Sequence, residues 1–241
     1  MAEPLLALDG VHTHIAQYHI LQGVDLAVPA GGVTVILGRN GAGKTTTLRT
    51  IMGLWQASGG TIRFDGADIT SLDTPAIARR GIAYVPENMG IFTDLTVREN
   101  MVLAAVDGPM DSGRLDWIFS LFPPLRTFWE MPAGNLSGGQ KQMLSVARAV
   151  IEPRRLILVD EPTKGLAPAI IKAMTAALAE LARTDTTILL VEQNFAMAKS
   201  LGQTVSVMDD GRIVHSGAMA ELAGDAALQE RLMGLSLETH Q

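Results

Sequence analysis

Eight residues, Gly38 to Thr45, read GRNGAGKT. They fit the spacing G-x-x-x-x-G-K-[ST], and the chemistry it points to is phosphate binding. Glycines let successive backbone N–H groups turn inward around phosphate oxygens. A helix starting at the lysine adds the partial positive charge of its N-terminus. In that frame Lys44 reaches the β- and γ-phosphates, and the Thr45 hydroxyl ligates Mg2+. Gly38, Arg39, Asn40, Gly41, Ala42, Gly43 and Thr46 complete the loop. A second run, LILVDEP from Leu156 to Pro162, is apolar until it ends in two carboxylates. Asp160 would hold the Mg2+ shell, and Glu161 would orient and deprotonate a water. Alone, such a run is equally a buried strand with a polar end. A third, TILLVEQN from Thr187 to Asn194, ends in Glu192, Gln193 and Asn194, and so poses the choice between a plain turn and a site.

These side chains need elements to place them. The first third reads as strands and turns: LLALDGVHTHI, HILQGVDLAV, VTVILG and GIAYVPE, the last ended by Pro86. KTTTLRTIMGL, Lys44 to Leu54, is spaced as a helix stopped near Gly59-Gly60, and GTIRFDGADI is a hairpin turning at Asp65-Gly66. From about Asn88 to Arg155 helical spacing takes over in LTVRENMVLAAV, DSGRLDWIFSLF and GGQKQMLSVARAVI. Then RLILVDE, PAIIKAMTAALAELA, TTILLVEQ, AMAKSL and TVSVMDDGRIV alternate strand with helix before a short amphipathic tail over 218–235. Such alternation implies a parallel sheet covered by helices. The reading is a single 241-residue α/β domain. Its nucleotide core is 1–87 and 156–241, with an antiparallel β part at the N-terminus and a helical insertion over 88–155.

Composition sets limits. Apolar residues make up 47%, enough for a sizeable core, and the net charge of -6 with pI near 5.3 argues against non-specific nucleic-acid binding. The absence of cysteine rules out disulfides and thiolate metal sites. The start, MAEPLLALDG, lacks the basic region of a signal peptide, and no apolar run approaches the ~20 residues that span a bilayer. Any membrane role therefore comes through a partner. Five histidines show no metal spacing on one helix, and the twelve methionines read as core fillers.

The string NLSGGQKQMLSVARA, Asn135 to Ala149, lies between the loop and the carboxylate run. Ser137, Gly138, Gly139 and Gln140 offer a hydroxyl and bare N–H groups to an anion, although Ser137 is equally a plain helix cap. With all three motifs in this order, the chain resembles the ATP-binding-cassette ATPases over nearly its whole length. The resemblance implies a P-loop NTPase core of RecA-like type, with ATP and Mg2+ as ligands. It implies a dimer in which this signature faces the γ-phosphate bound to the opposite subunit. The strings LGRNGAGKTTTLRTIMGL, GIAYVPE, LTVREN, DEPTKGLAP and ILLVEQN further resemble ATPase subunits of importers for branched-chain and other hydrophobic amino acids. Related systems move urea and amides.

Four positions depart from the general cassette pattern. Gln193 stands where most cassettes place a histidine at the γ-phosphate, and Glu87 stands where a glutamine touches Mg2+ and the attacking water. Ala167 replaces an aspartate reaching across the dimer. Ile15, with His14 and Tyr18 nearby, replaces the aromatic residue that stacks on adenine. Both Gln193 and Glu87 resemble the amino-acid importer subgroup. Glu87 adds negative charge near the metal, where it either strengthens Mg2+ ligation or repels the γ-phosphate.

The expected function is therefore the ATPase subunit of an amino-acid importer, peripheral on the cytoplasmic face of the cell membrane. Lys44, Glu161 and Gln193 act on the γ-phosphate, and Thr45, Asp160 and Glu87 on Mg2+. Its partners are a second ATPase subunit (a heterodimer favoured over a homodimer), two transmembrane permeases and, indirectly, a solute-binding protein, with no nucleic acid. Met89, Ile91 and Phe92 would suit the groove that receives the permease, or pack within the helical part. The alternatives are an importer of urea, amides or another small solute, a soluble cassette ATPase outside transport, and a regulatory cassette that binds ATP without hydrolysing it.

Overall fold

A computed structural model describes residues 3–106 and 108–233 of the chain. His240 and the last residues of the expected tail lie outside them. Strand β1 (Leu6–Ile15) turns at Ala16 into β2 (Tyr18–Val28), and β4 (Gly59–Phe64) pairs with the other edge of β1. With β3 (Val33–Leu37) reserved for the second sheet and β5 (Ala67–Asp68) on the far edge, the order of this antiparallel sheet is β2-β1-β4-β5. The hairpin turn falls at Asp65-Gly66 as expected, with φ of +52° and +73° at its two residues. Those angles are what a two-residue hairpin of primed type requires.

The second sheet has six strands in the order β10-β9-β3-β8-β7-β6. They are β6 (Ile82–Val85), β7 (Leu156–Asp160), β8 (Thr187–Glu192), β9 (Thr204–Asp209) and β10 (Arg212–Ala218) around β3. All its pairings are parallel except β9 with β10. Every residue of β3, β7 and β8 is buried, which is why these runs are mostly apolar rather than alternating. Val35, Val159 and Leu190 belong to one core layer, and Ile36, Leu158 and Leu189 to the other. The sequence run TVSVMDDGRIV is not one strand: it bends at Asp210-Gly211 (φ +42° and +73°) into the β9–β10 hairpin.

The helices are α1 (Lys44–Ile51), α2 (Thr74–Arg79), α3 (Val97–Ala104), α4 (Ser112–Leu121), α5 (Pro123–Thr127), α6 (Gly138–Val150), α7 (Pro168–Ala182), α8 (Phe195–Leu201), α9 (Met219–Gly224) and α10 (Ala226–Met233). Helix α1 ends three residues before the expected Leu54. Gly53, at φ +67°, donates to Thr50 O while Leu54 N donates to Arg49 O, a Schellman stop. Helices α3 to α6 follow one another between β6 and β7. Helices α2 and α5 were not anticipated, being 6 and 5 residues long, too short to show a period.

Candidate active site

Strands β3, β6, β7 and β8 run parallel, so Gly38, Glu87, Glu161 and Gln193 all follow carboxyl ends on one edge of the sheet. The chain leaves β3, crosses to the far edge at β6 and returns through β7 and β8 to lie beside β3. That reversal is the topological switch point at which open α/β sheets bind ligands. Between β3 and α1 the loop turns on Gly43, the N-cap, at φ +107°. A Cβ there would sit 3.1 Å from Leu21 in a backbone conformation that other residues rarely adopt.

Lys44 is only 4% exposed, and burial of an ammonium needs partners. Its Nζ donates to Gly38 O at 2.9 Å and Arg39 O at 3.0 Å, and lies 3.5 Å from Glu161 Oε1. Asp160, fully buried, accepts from the Thr45 hydroxyl at 3.0 Å and from the Tyr84 hydroxyl at 3.0 Å. Burial pushes its carboxyl above the usual range, while these two hydrogen bonds pull the other way. Burial, then the Asp160 charge, raises the Tyr84 hydroxyl, which stays a donor. Glu161 has φ +46°, uncommon for a residue with a Cβ. Its N–H donates to Val191 O at 2.9 Å, which ties the strained residue to β8.

The three polar residues ending β8 divide the work. Glu192 is 2% exposed and accepts from Thr163 Oγ1 at 2.6 Å, from the Gln193 and Asn194 N–H groups at 3.0 Å each and from Thr163 N at 3.3 Å. It locks the turn after Glu161 onto the end of β8. Gln193 Nε2 donates to Glu161 Oε1 at 2.6 Å and to Asn40 Oδ1 at 2.6 Å. An amide nitrogen carries two hydrogens, and a carboxylate only accepts, so this orientation satisfies both contacts. Asn194 caps α8 through Met197 N at 3.1 Å.

A pocket of about 300 Å³ opens over this edge. Asn40, Gly41, Gly43, Lys44, Thr45 and Thr46 line it with Glu87 and Glu161, all expected, and with Ile20 and Lys164, which were not. Lys164 Nζ is 2.6 Å from Glu87 Oε1 and 3.6 Å from Glu161 Oε2. Nothing in DEPTKGLAP except its charge could have singled it out. Ile20 is the extra residue where the β1–β2 register shifts between Leu21 and His19. Ile15 lies opposite Tyr18 at the hairpin tip and is not in the pocket wall.

The signature residues stand apart from this pocket. Ser137 and Gln140 form a capping box at the start of α6: Ser137 Oγ accepts from Gln140 N at 3.3 Å, and Gln140 Oε1 from Ser137 N at 2.9 Å. Gly139 is buried, and a Cβ there would come within 2.7 Å of Ile170 on α7; around Gly138 nothing lies within 4 Å. Of Met89, Ile91 and Phe92, only Phe92 is exposed, with the Arg148 guanidinium 5.0 Å from its ring centroid.

The donor set fits a hard cation. The Thr45 hydroxyl and an Asp160 oxygen are 3.0 Å apart, and Glu87 adds a further carboxylate in the same pocket. Among the described residues no group of three or more His, Cys, Asp or Glu could hold a metal by itself. An ion here would complete its shell with phosphate oxygens and water, as Mg2+ does in phosphoryl-transfer sites.

A family model described as ABC transporter matches residues 21–164. The chain is 36% identical over 232 residues to the high-affinity branched-chain amino acid transport ATP-binding protein BraG of Pseudomonas aeruginosa, covering 95% of this chain and 100% of that one. It is 36% identical over 223 residues to a probable branched-chain amino acid transport ATP-binding protein, LivF, of Archaeoglobus fulgidus, covering 91% and 94%. In fold it matches a nucleotide-free ATP-binding cassette from an ABC transporter, with a TM-score of 0.81 at 24% identity over 96% of this chain and 99% of that one.

Proposed function

The chain belongs to the ABC transporter family of ATP-binding subunits, and from that premise we propose that it hydrolyses ATP to drive uptake of branched-chain or other hydrophobic amino acids. The observation that carries the chemical part is the convergence of Lys44, Thr45, Asp160, Glu161 and Gln193 at the ends of β3, β7 and β8. The amino-acid part rests on the two relatives named above. The relatives do not favour the alternative of an importer for urea, amides or another small solute.

ATP is the substrate, and its adenine would lie toward Ile20 at the edge of the pocket. The loop N–H groups and the Lys44 ammonium bind its phosphates. To do so Lys44 exchanges its contacts to Gly38 O and Arg39 O for phosphate oxygens. Thr45 and Asp160 would hold Mg2+, with Glu87 beside them; the bound ion supplies positive charge to the β- and γ-phosphate oxygens. Glu161 accepts the proton of the attacking water. Gln193 holds Glu161 against the loop through Asn40, which would steady the base beside the attacking water.

The site is completed by a second ATPase subunit whose Ser137-to-Gln140 counterpart approaches the γ-phosphate; two different ATPases are favoured over a pair of identical chains. Among the described residues no helix is long and apolar enough to cross a membrane, and in this reading separate permease subunits carry the solute. The insertion over 88–155 would be the part that meets them, on the cytoplasmic face of the membrane. Phe92, Val102, Leu103 and Val106 are exposed there, 46–71% each.

Glu161→Gln tests the chemistry. Phosphate release should fall about 100-fold or more while ATP stays bound; rapid turnover by that variant would rule out Glu161 as the base. Partners are tested by pulling the chain from detergent-solubilised native membranes. Recovery of two polytopic proteins and a second cassette ATPase supports the transporter reading, and ribosomal or DNA-associated proteins with no membrane subunit would sink it.

A further inference from the structure

The phosphate pocket holds Glu87, a carboxylate beyond the base and the buried oxygen donor. Glu87 and Glu161 both line it, and Asp160 lies beneath with a hydrogen bond to Thr45. Glu161 is required as a base and Asp160 as an oxygen donor. Glu87 brings a further negative charge toward the place where a polyphosphate must sit. Like charges this close to one another near a protein surface repel, and the repulsion opposes phosphate binding.

Lys164 meets this charge. Its side chain is 54% exposed and has water available, yet its Nζ is 2.6 Å from Glu87 Oε1 and 3.6 Å from Glu161 Oε2. The backbone aims it there. Lys164 follows Glu161 by three residues, the turn is closed by Lys164 N donating to Glu161 O at 3.2 Å, and Gly165 at φ +71° carries the chain away. The same turn is anchored from below by Thr163 on Glu192. Lys164 thus joins the loop after β6 to the loop after β7. With it, the charged side chains lining the pocket come to two ammonium groups, Lys44 and Lys164, and two carboxylates, Glu87 and Glu161.

We propose that Lys164 is a positioning residue for ATP hydrolysis: it cancels the charge of Glu87, so that the pocket accepts the γ-phosphate, and steadies the second oxygen of Glu161. The pair Glu87–Lys164 then does what a single neutral side chain at position 87 would do. This rests on the ATPase reading given above. The competing reading is an exposed ion pair of no consequence, as many are.

The two readings part in a double-mutant cycle on the full-length chain, read by equilibrium binding of trinitrophenyl-ATP with Mg2+ and by phosphate release. Lys164→Met should weaken binding by ~5-fold and slow release by ~10-fold, with thermal stability unchanged because the side chain is half exposed. Lys164→Arg should restore both, since charge and not packing is at issue. In a Glu87→Gln background, Lys164→Met should weaken binding by less than ~2-fold, because the Glu87 charge is no longer there to cancel. Equal binding and release by wild type and Lys164→Met overturn the proposal. So does a loss of the same size in the Glu87→Gln background, which would mean that Lys164 does not act through Glu87. A wild-type chain that binds no nucleotide sinks the ATPase reading itself, whereas wild-type binding with an indifferent Lys164 sinks this proposal alone.

Discussion

Gln193 shows how one side chain replaces another of different chemistry. An imidazole at this position would bring a possible positive charge; the amide brings two N–H donors and no charge. Both donors are in use, on Glu161 and on Asn40. The residue therefore ties Glu161 to Asn40 of the phosphate loop, and would reach a phosphate only by giving up one contact. Gln193→Ala should lower kcat by ~10-fold, since it frees Glu161 to rotate away from the water, and should change ATP affinity little. Steady-state kinetics with separate kcat and KM decide this, and an unchanged kcat would show that Lys44 and Lys164 hold Glu161 without help. The resemblance to the cassette ATPases pointed to Gln193, where the strand end alone left a turn and a site open, but not to the contact with Asn40, which joins residues 153 positions apart.

At the scale of elements, strand ends hold the site and their buried polar groups hold the strand ends. Glu192→Ala leaves the Thr163 hydroxyl and several N–H groups without their acceptor. The expected cost is about 3 kcal/mol, a fall in Tm of about 6–12 °C for a chain of this size. An unchanged melting curve would mean that water replaces the carboxylate. The β1–β2 hairpin adds a pH response. His14 and His19 stack with centroids 4.1 Å apart, and His12 Nδ1 lies 3.0 Å from His19 Nε2. Partial desolvation first, then the charges of His14 and His12, hold His19 below its ordinary value. A histidine so lowered binds fewer protons folded than unfolded, so stability is full above the unfolded value and falls as the pH drops through it toward the folded one. The Tm should therefore decline as the pH falls below about 6.5, and His19→Gln should flatten that decline. The β-strands and their site-bearing ends were legible because burial on both faces writes a mostly apolar run. The His cluster was not, because it arises from the shifted pairing of β1 with β2, which no single strand records.

On the scale of the whole molecule, the two signature glycines separate what this chain needs for itself from what it offers to another. Gly139 is required internally, since a side chain there would strike Ile170 where α6 meets α7. Gly138 has no such reason: it is exposed and a Cβ would meet nothing. Ser137 and Gln140 already satisfy each other across the capping box, so α6 is properly begun without any partner. That is also why the sequence alone left the cap and the anion site as competing readings; a cap uses the same residues and differs only in what stands opposite. Gly138→Asp distinguishes them. In the isolated chain an aspartate in the first turn of α6 favours the helix dipole, so the melting temperature should hold or rise slightly. ATP binding by the phosphate loop, whose pocket Gly138 does not line, should be unchanged. If Gly138 faces the γ-phosphate of a neighbouring subunit, the added carboxylate repels it, and ATP-dependent association should fall by at least ~10-fold, with turnover falling alongside. Light scattering of the purified chain, alone and with any cassette ATPase recovered with it, with and without ATP in a Glu161→Gln background, reads this directly. Undiminished ATP-dependent association would leave α6 as a capped helix and nothing more, and the second subunit would have to be sought on another face.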